Sequence, residues 1–241
     1  WQLPFLPLSF PNGYWYPNAT RFISFTIHEF PLYSFVVSDL HGHVLDIPFV
    51  LLTISVVFAF FVGKKLNLLR LIFISFLLSV MYMTNAWDGL IYLLLGIIVL
   101  AFLNFYKGHK KLDFQGLNIY NFFFSLVTVL LGFIAFSIPF SINFKPFVSG
   151  IGLICAPKFL TDLGNLGPFL FETNHCQRSP VWQLLVLYGF FYFFVFSFLI
   201  FLKRKKNYKF SENIFFVIIL ILLSTFLILI PEFFYIKDIY P

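Results

Sequence analysis

Long apolar segments, separated by short polar ones, dominate the sequence from residue 44 onward. A helix that crosses the hydrocarbon core of a bilayer needs about 20 predominantly apolar residues. Six segments come near this length: residues 44–62, 71–84, 89–106, 117–140, 181–202 and 213–230. The second segment is short, so we expect its helix to begin before Arg70, whose long side chain can reach the headgroup zone. The pattern predicts an all-α polytopic membrane protein with about six transmembrane helices.

The polar segments predict how these spans are arranged. Residues 1–43 are rich in proline, which prevents a continuous spanning helix, and in Trp and Tyr, which prefer the headgroup zone. We expect residues 1–241 to form a single membrane domain: an outer interfacial segment (1–43), four spans (44–140), an outer loop (141–180), and two spans with an outer tail (181–241). No initiator Met or signal peptide stands at Trp1, so we interpret the sequence as an internal piece of a longer membrane protein.

Composition and charge exclude a water-soluble domain and argue against a nucleic-acid-binding protein. The chain is 60% hydrophobic, 23% aromatic and 11% charged, which no water-soluble domain of this length matches. Its net charge of +6 comes from basic residues between apolar runs rather than on a folded face, so nucleic acid is not an expected partner.

The basic residues also predict orientation. Of the 16 Lys and Arg residues, 11 fall in alternate loops: Lys64, Lys65, Arg70, Lys107, Lys110, Lys111, Lys203, Arg204, Lys205, Lys206 and Lys209. By the positive-inside rule these loops are cytoplasmic. Of the 10 acids, 8 fall on the opposite side: Glu29, Asp39, Asp46, Asp88, Asp162, Glu172, Glu232 and Asp238. We therefore expect an integral protein of a bacterial or archaeal cell membrane, with its site on the extracytoplasmic face.

The densest polar cluster lies just before the first span. Three histidines and three acids fall within residues 28–46: His28, Glu29, Asp39, His41, His43 and Asp46. Ionisable groups at a membrane boundary are costly to keep, which favours a functional site. If residues 38–46 are helical, Asp39, His43 and Asp46 share one stripe and His41 points away from it. The plainer interpretation is a helix start, with Ser38 as its cap and Asp39 favoured by the helix dipole.

Other polar patches fall on the same predicted face. Residues 84–88 form a short turn, in which Trp87 either contributes to the site or anchors at the interface. Cys155 and Cys176 either form a disulfide or remain free thiols. Arg178 either binds a phosphate with its planar fork or sits among headgroups. Residues 231–238, which follow the last span, contain Glu232, Lys237 and Asp238. These residues either belong to the site or are simply exposed to solvent.

No phosphate loop, zinc-binding HExxH helix or nucleophile elbow is present. Nucleotide sugars and ATP are cytoplasmic. An enzyme on the outer face would therefore use a lipid-linked donor from the bilayer.

Nearly the whole sequence resembles the multi-pass membrane proteins of the Chlor_Arch_YYY type. The resemblance rests on Tyr14-Trp15-Tyr16-Pro17, Arg21-Phe22-Ile23, His28-Glu29-Phe30-Pro31-Leu32-Tyr33-Ser34-Phe35, Ser38-Asp39-Leu40-His41-Gly42-His43, Pro48-Phe49, Thr84-Asn85-Ala86-Trp87-Asp88, Arg178-Ser179, Gln183, Gly189, Glu232, Tyr235 and Asp238. That family is similar to the GT-C membrane glycosyltransferases. The resemblance implies a GT-C-like fold and transfer of a sugar from a polyprenyl-phosphate donor on the outer face, to an acceptor that it does not identify. The tyrosine-rich segment of the family would lie before Trp1.

The chemistry of such a transfer assigns candidate roles. A carboxylate must deprotonate or orient the acceptor hydroxyl, and Asp39 is the first candidate, with Glu29 second. The leaving lipid phosphate needs a cation, which Arg178, His43 or a divalent metal would supply. A divalent metal (Mn, Mg or Zn) would be held by Asp39, His43 and Asp46. This ligand set suits Mn or Zn better than Ca, while Mg would want more carboxylates. The candidate substrate-binding residues are His28, His41, Trp87, Asp88, Arg178, Glu232 and Asp238.

Two other classes of function stay open. Acids and histidines inside a membrane also serve as proton or ion relays, so an ion- or proton-coupled transporter is the main alternative. A non-catalytic membrane scaffold that binds lipid would not need the stripe of Asp39, His43 and Asp46.

Overall fold

The computed structural model describes residues 22, 23, 26, 34, 35, 38, 40–63, 67–105, 116–145, 148–204 and 212–238, without the side chains of residues 116–118, 212, 213 and 238. The helices are α1 (Gly42–Gly63), α2 (Leu68–Thr84), α3 (Ala86–Phe105), α4 (Gly116–Ser141), α5 (Lys158–Leu163), α6 (Val181–Arg204) and α7 (Glu212–Leu229), followed by a 3-10 turn at Ile230–Glu232. The strands are β1 (Val148–Leu153), β2 (Phe169–Leu170) and β3 (Phe234–Asp238).

Five of these helices are long and apolar enough to cross a membrane: α1, α3, α4, α6 and α7. The α2 helix is also apolar but has only 17 residues. It begins at Leu68, before Arg70 as expected, and the side chain of Asn67 caps it by accepting a hydrogen bond from the Arg70 backbone N at 2.9 Å. The sequence-predicted spans are therefore confirmed as helices, and the protein is an all-α polytopic membrane protein.

The chain divides into two compact units. We call Leu40–Phe147 with Phe210–Leu227 the helical unit, and Trp1–Asp39, Val148–Lys209 and Ile228–Pro241 the sheet unit. The expected single membrane domain of residues 1–241 stays a prediction.

In the helical unit, α2 packs against α1, α3 and α4 around a phenylalanine-rich core. The rings of Phe61 and Phe102 stack with centroids 5.0 Å apart, and Phe215 stacks on Phe102 at 4.6 Å. Such offset pairs add to the stabilisation that comes from burying the rings. The core joins α1, α3 and α7.

Small residues bring α2 and α4 together. Ser75 and Ser79 are 0% exposed, and the Ser79 hydroxyl contacts the Phe133 carbonyl of α4 at 2.9 Å. A Cβ atom on Gly132 would lie 2.7 Å from the Ser75 Cβ. Helices within a bilayer associate through such close contacts, because lipid tails are as apolar as the side chains.

The sheet unit contains the small sheet, with strand order β2-β1-β3. The β1 strand pairs parallel with β2 and antiparallel with β3, with a bulge between Val148 and Gly150. The Cys155–Cys176 disulfide closes the segment between β1 and α6, so the disulfide alternative is the one observed. The sequence predicted loops in these segments and no strand.

We predict that Gly132→Ala weakens the helical unit and that Gly96→Ala does not. The added methyl group at position 132 meets Ser75, and overpacking of this kind costs about 1–3 kcal/mol. At Gly96 in α3 the same methyl group meets nothing within 4 Å. The free energy of unfolding in detergent micelles measures both changes. Equal effects of the two substitutions would contradict the close packing of α2 on α4.

Candidate functional site

The turn between α2 and α3 is a single residue, Asn85, which ends one helix and starts the next. Its backbone N–H donates to the Met81 carbonyl at 2.7 Å, and its own carbonyl accepts from the Gly89 N–H at 3.3 Å. The Asn85 side-chain amide donates to Asp88 Oδ2 at 2.9 Å. Asp88 therefore sits in the first turn of α3, where a carboxylate is favoured by the helix dipole.

Two glycines allow α1, α2 and α3 to converge at this end of the helical unit. A Cβ atom on Gly42 would lie 2.6 Å from the Thr84 carbonyl oxygen, and one on Gly89 would lie 2.6 Å from the Tyr82 Cα. Larger residues would push the helix ends apart. The convergence brings Asp46, one turn into α1, close to Asp88 at the start of α3.

Asp46 is the unusual group of this cluster. Its side chain is 0% exposed, and neither carboxylate oxygen has a hydrogen-bond partner among the described residues. It lies within hydrogen-bonding range of Asp88, but two carboxylates cannot hydrogen-bond each other unless one of them carries a proton. A buried polar group is normally hydrogen-bonded, and a buried charge is normally paired. Two arrangements satisfy such a pair: a proton shared between the carboxyl groups, or a positive partner between or beside them.

A histidine and a tyrosine lie near the pair. His43, on α1, interacts electrostatically with Asp88. Tyr92, one turn after Asp88 on α3, interacts electrostatically with both Asp46 and Asp88. Tyr92 was not among the residues predicted from the sequence. Because Tyr92 follows Asp88 by four residues in an apolar helix, the two side chains lie on the same face, and this spacing could have identified Tyr92.

The structure brings together three of the predicted site residues, His43, Asp46 and Asp88. His41 precedes α1, and its carbonyl accepts the Val44 N–H at 3.0 Å, so it occupies the cap position of the helix. Its ring lies 5.6 Å from that of His43. Trp87 is 47% exposed, which agrees with anchoring at the membrane interface.

The helix over residues 38–46 on which the shared stripe depends is not formed. The α1 helix begins at Gly42, residues 40 and 41 are not helical, and Ser38 has a φ of 57°, which no helix N-cap adopts. Ser38 is therefore not the cap, and helical spacing does not align Asp39 with His43 and Asp46. No group of three or more His, Cys, Asp or Glu side chains that could hold a metal is found in the described part of the chain. His28, Glu29 and Asp39 lie outside that part, so their roles and the metal site with Asp39 stay predictions.

The other predicted residues belong to the sheet unit. Glu232 Oε2 accepts the Ser179 backbone N–H at 2.8 Å, just before α6. The Arg178 guanidinium lies 5.6 Å from the centre of the Phe233 ring, a cation–π contact. Asp238 is the last residue of β3. Glu232 and Arg178 thus have structural contacts, and their predicted part in substrate binding stays a prediction.

A second polar cluster in the sheet unit surrounds Glu172. The Lys237 ammonium donates to Glu172 Oε1 at 2.5 Å and the Tyr235 hydroxyl to Oε2 at 2.8 Å, while His175 stacks on the Tyr235 ring at 4.2 Å. The hydrogen bonds from Lys237 and Tyr235 lower the pKa of Glu172 below its ordinary 4.5. Burial and the bond to Glu172 raise the pKa of Tyr235. These contacts join the segment before α6 to β3.

Five long apolar helices define a multi-pass integral membrane protein. The sequence matches the family described as "Uncharacterized membrane protein (DUF2298)" over residues 3–223, and the protein belongs to this family. The expected membership in a membrane protein family is thereby confirmed. No curated protein and no solved structure matches the sequence.

We predict that Glu172→Gln destabilises the protein at pH 7 and not in acid. A carboxylate whose pKa is lowered by folding stabilises the folded state above its unfolded pKa, and this stabilisation is lost as the pH falls through the folded value. The effect is modest because the pair is partly exposed. Thermal unfolding of both proteins at pH 7 and well below pH 4.5 measures it, with the exposed Asp162→Asn as control. A difference that persists unchanged in acid would show that the charge of Glu172 is not its cause.

Proposed function

We propose that the protein is a membrane glycosyltransferase of the GT-C type that uses a polyprenyl-phosphate-linked sugar on the extracytoplasmic face. The observation that carries the proposal is the cluster of Asp46, Asp88 and His43 at one end of an otherwise apolar helical unit. Acids kept at such a position are costly without a role, and group transfer at the membrane edge requires them. The resemblance of the sequence to GT-C-related membrane proteins supports the same reaction class.

The distribution of charge supports an extracytoplasmic site. Asp46 is near the start of α1, whereas the same helix ends at Gly63 and is followed by Lys64 and Lys65. Lys203 and Arg204 likewise end α6, whose start follows Arg178. The positive-inside rule assigns the basic ends to the cytoplasm. The acidic cluster then faces the side on which lipid-linked rather than nucleotide-linked sugars are available.

The proposed reaction needs a base and a partner for the leaving phosphate. The base, Asp39 or secondly Glu29, accepts the proton of the acceptor hydroxyl, and the acceptor oxygen bonds to the anomeric carbon of the sugar. The bond from that carbon to the lipid phosphate breaks, and the electron pair leaves with the phosphate. Arg178 is the proposed cation for this phosphate, since guanidinium binds phosphate through two hydrogen bonds.

Recognition of the sugar and the lipid falls to the other outer polar groups. We assign substrate binding to His28, His41, Trp87, Asp88, Arg178, Glu232 and Asp238. Trp87 offers an exposed ring at the membrane edge.

One observation favours a transporter as the second candidate. Asp46 lies inside the span α1, fully buried and without a hydrogen-bond partner among the described residues, as in proton and cation relays. An ion-coupled transporter would move its ion past this group.

We predict that the full-length protein in liposomes transfers sugar from labelled polyprenyl-phosphate hexoses to added acceptors, and that Asp39→Asn lowers the rate by about 100-fold or more. Asp162→Asn, the same change at an exposed acid of α5, should keep full activity. Thermal unfolding verifies that both variants fold.

Each other outcome has a definite meaning. Transfer that survives in Asp39→Asn but is lost in Glu29→Asn would move the base to Glu29. No transfer from any donor, together with ion or proton flux that Asp46→Asn abolishes, would refute the glycosyltransferase and establish the transporter.

A further inference from the structure

The Asp46 carboxylate is an unused ligand group. It is fully buried, and both of its oxygens lack a hydrogen-bond partner among the described residues. Asp88, across from it, uses Oδ2 for the Asn85 amide and is only partly buried. Asp46 thus forms the closed end of the cluster, and Asp88 forms the end that is accessible from outside.

The local field at this position is negative. The pair would carry two negative charges, and neither acid forms an ion pair with Lys or Arg in the described ranges. The C-terminus of α2 adds to this field. The helix ends at Thr84, whose carbonyl oxygen lies against Gly42 at the start of α1, and helix C-termini carry partial negative charge. Within the described ranges, His43 on α1 and Tyr92 on α3 also interact with the pair. Such a field favours a cation.

We propose that Asp46 and Asp88 together bind one divalent cation of the Mg²⁺ or Mn²⁺ type. Two carboxylates balance the charge of such an ion. Mg²⁺ in proteins is commonly held by one or two carboxylates while water and phosphate oxygens fill its other positions.

The number and type of ligands favour Mg²⁺ or Mn²⁺ over Zn²⁺ and Ca²⁺. Zn²⁺ sites use three or four protein ligands, Ca²⁺ takes six to eight oxygens, and no group of three or more metal-binding side chains is found in the described ranges. The site differs from the sequence-predicted set of Asp39, His43 and Asp46, because Asp88 from another helix replaces Asp39. It shares Asp88 with the proposed substrate-binding residues, but binding of the ion is measured without any sugar donor.

Titration of the purified full chain with Mn²⁺, followed by electron paramagnetic resonance, tests the proposal. We expect one bound Mn²⁺ per chain, displaced by excess Mg²⁺, and an affinity that falls by about 10-fold or more in Asp46→Asn and in Asp88→Asn. Asp162→Asn should bind as the wild type does. Added Mn²⁺ should also raise the unfolding temperature of the wild type but not of the two site variants.

The contrary results are equally specific. A wild-type chain that binds no Mn²⁺, or site variants that bind it unchanged, would overturn the proposal. If Asp46→Asn fails to fold, Asp88→Asn decides alone, because Asp88 is partly exposed and asparagine keeps a side-chain oxygen that can accept from the Asn85 amide. Since no sugar donor is present, a negative result leaves the proposed transfer untouched, and a loss of transfer elsewhere leaves the cation site untouched.

Discussion

Hydrocarbon offers no hydrogen-bond partner, so a chain that crosses it must satisfy every backbone polar group internally. The long apolar helices follow from this constraint. It also governs their few polar side chains: Ser75 donates to the Leu71 carbonyl, and Ser79 lies within hydrogen-bond distance of carbonyls on both α2 and α4. Asn85 meets the same demand at the turn into α3, where its backbone and side chain make three hydrogen bonds.

Asp46 departs from this rule, because both of its carboxylate oxygens lack a hydrogen-bond partner among the described residues. The packing of the helix ends around Asp46 explains why it stays buried. Its cost would be removed by an apolar residue of similar size, yet Gly42 and Gly89 hold the helix ends close enough to keep it facing Asp88. The helical unit thus brings two carboxyl groups together instead of separating them. A bound cation would turn this unfavourable pair into a favourable one, which connects the packing of the glycines to the chemistry of the site.

The parts of this structure that the sequence predicts are those set by local composition. The spans agree with the helices to within three residues, because about twenty apolar residues have one stable arrangement in a bilayer. The sheet was missed because β2 has two residues, β1 contains Gly150 and Gly152, and its partner β3 is far along the chain. Asp46 and Asp88 were each singled out from the sequence, but their contact depends on the convergence of α1 and α3. Ser38 was one candidate for the helix cap because of its residue type, but its φ of 57° is left-handed and α1 begins only at Gly42.

The central claim is that Asp46 and Asp88 interact as a like-charged pair, and a double-mutant cycle tests it most directly. The free energy of unfolding is measured in chelator for the wild type, Asp46→Asn, Asp88→Asn and the double variant. Removing either charge also relieves the other, so the double variant should gain less stability than the sum of the two single changes, by about 0.5 kcal/mol or more. Strict additivity would mean that the two carboxyl groups do not interact and would contradict the account.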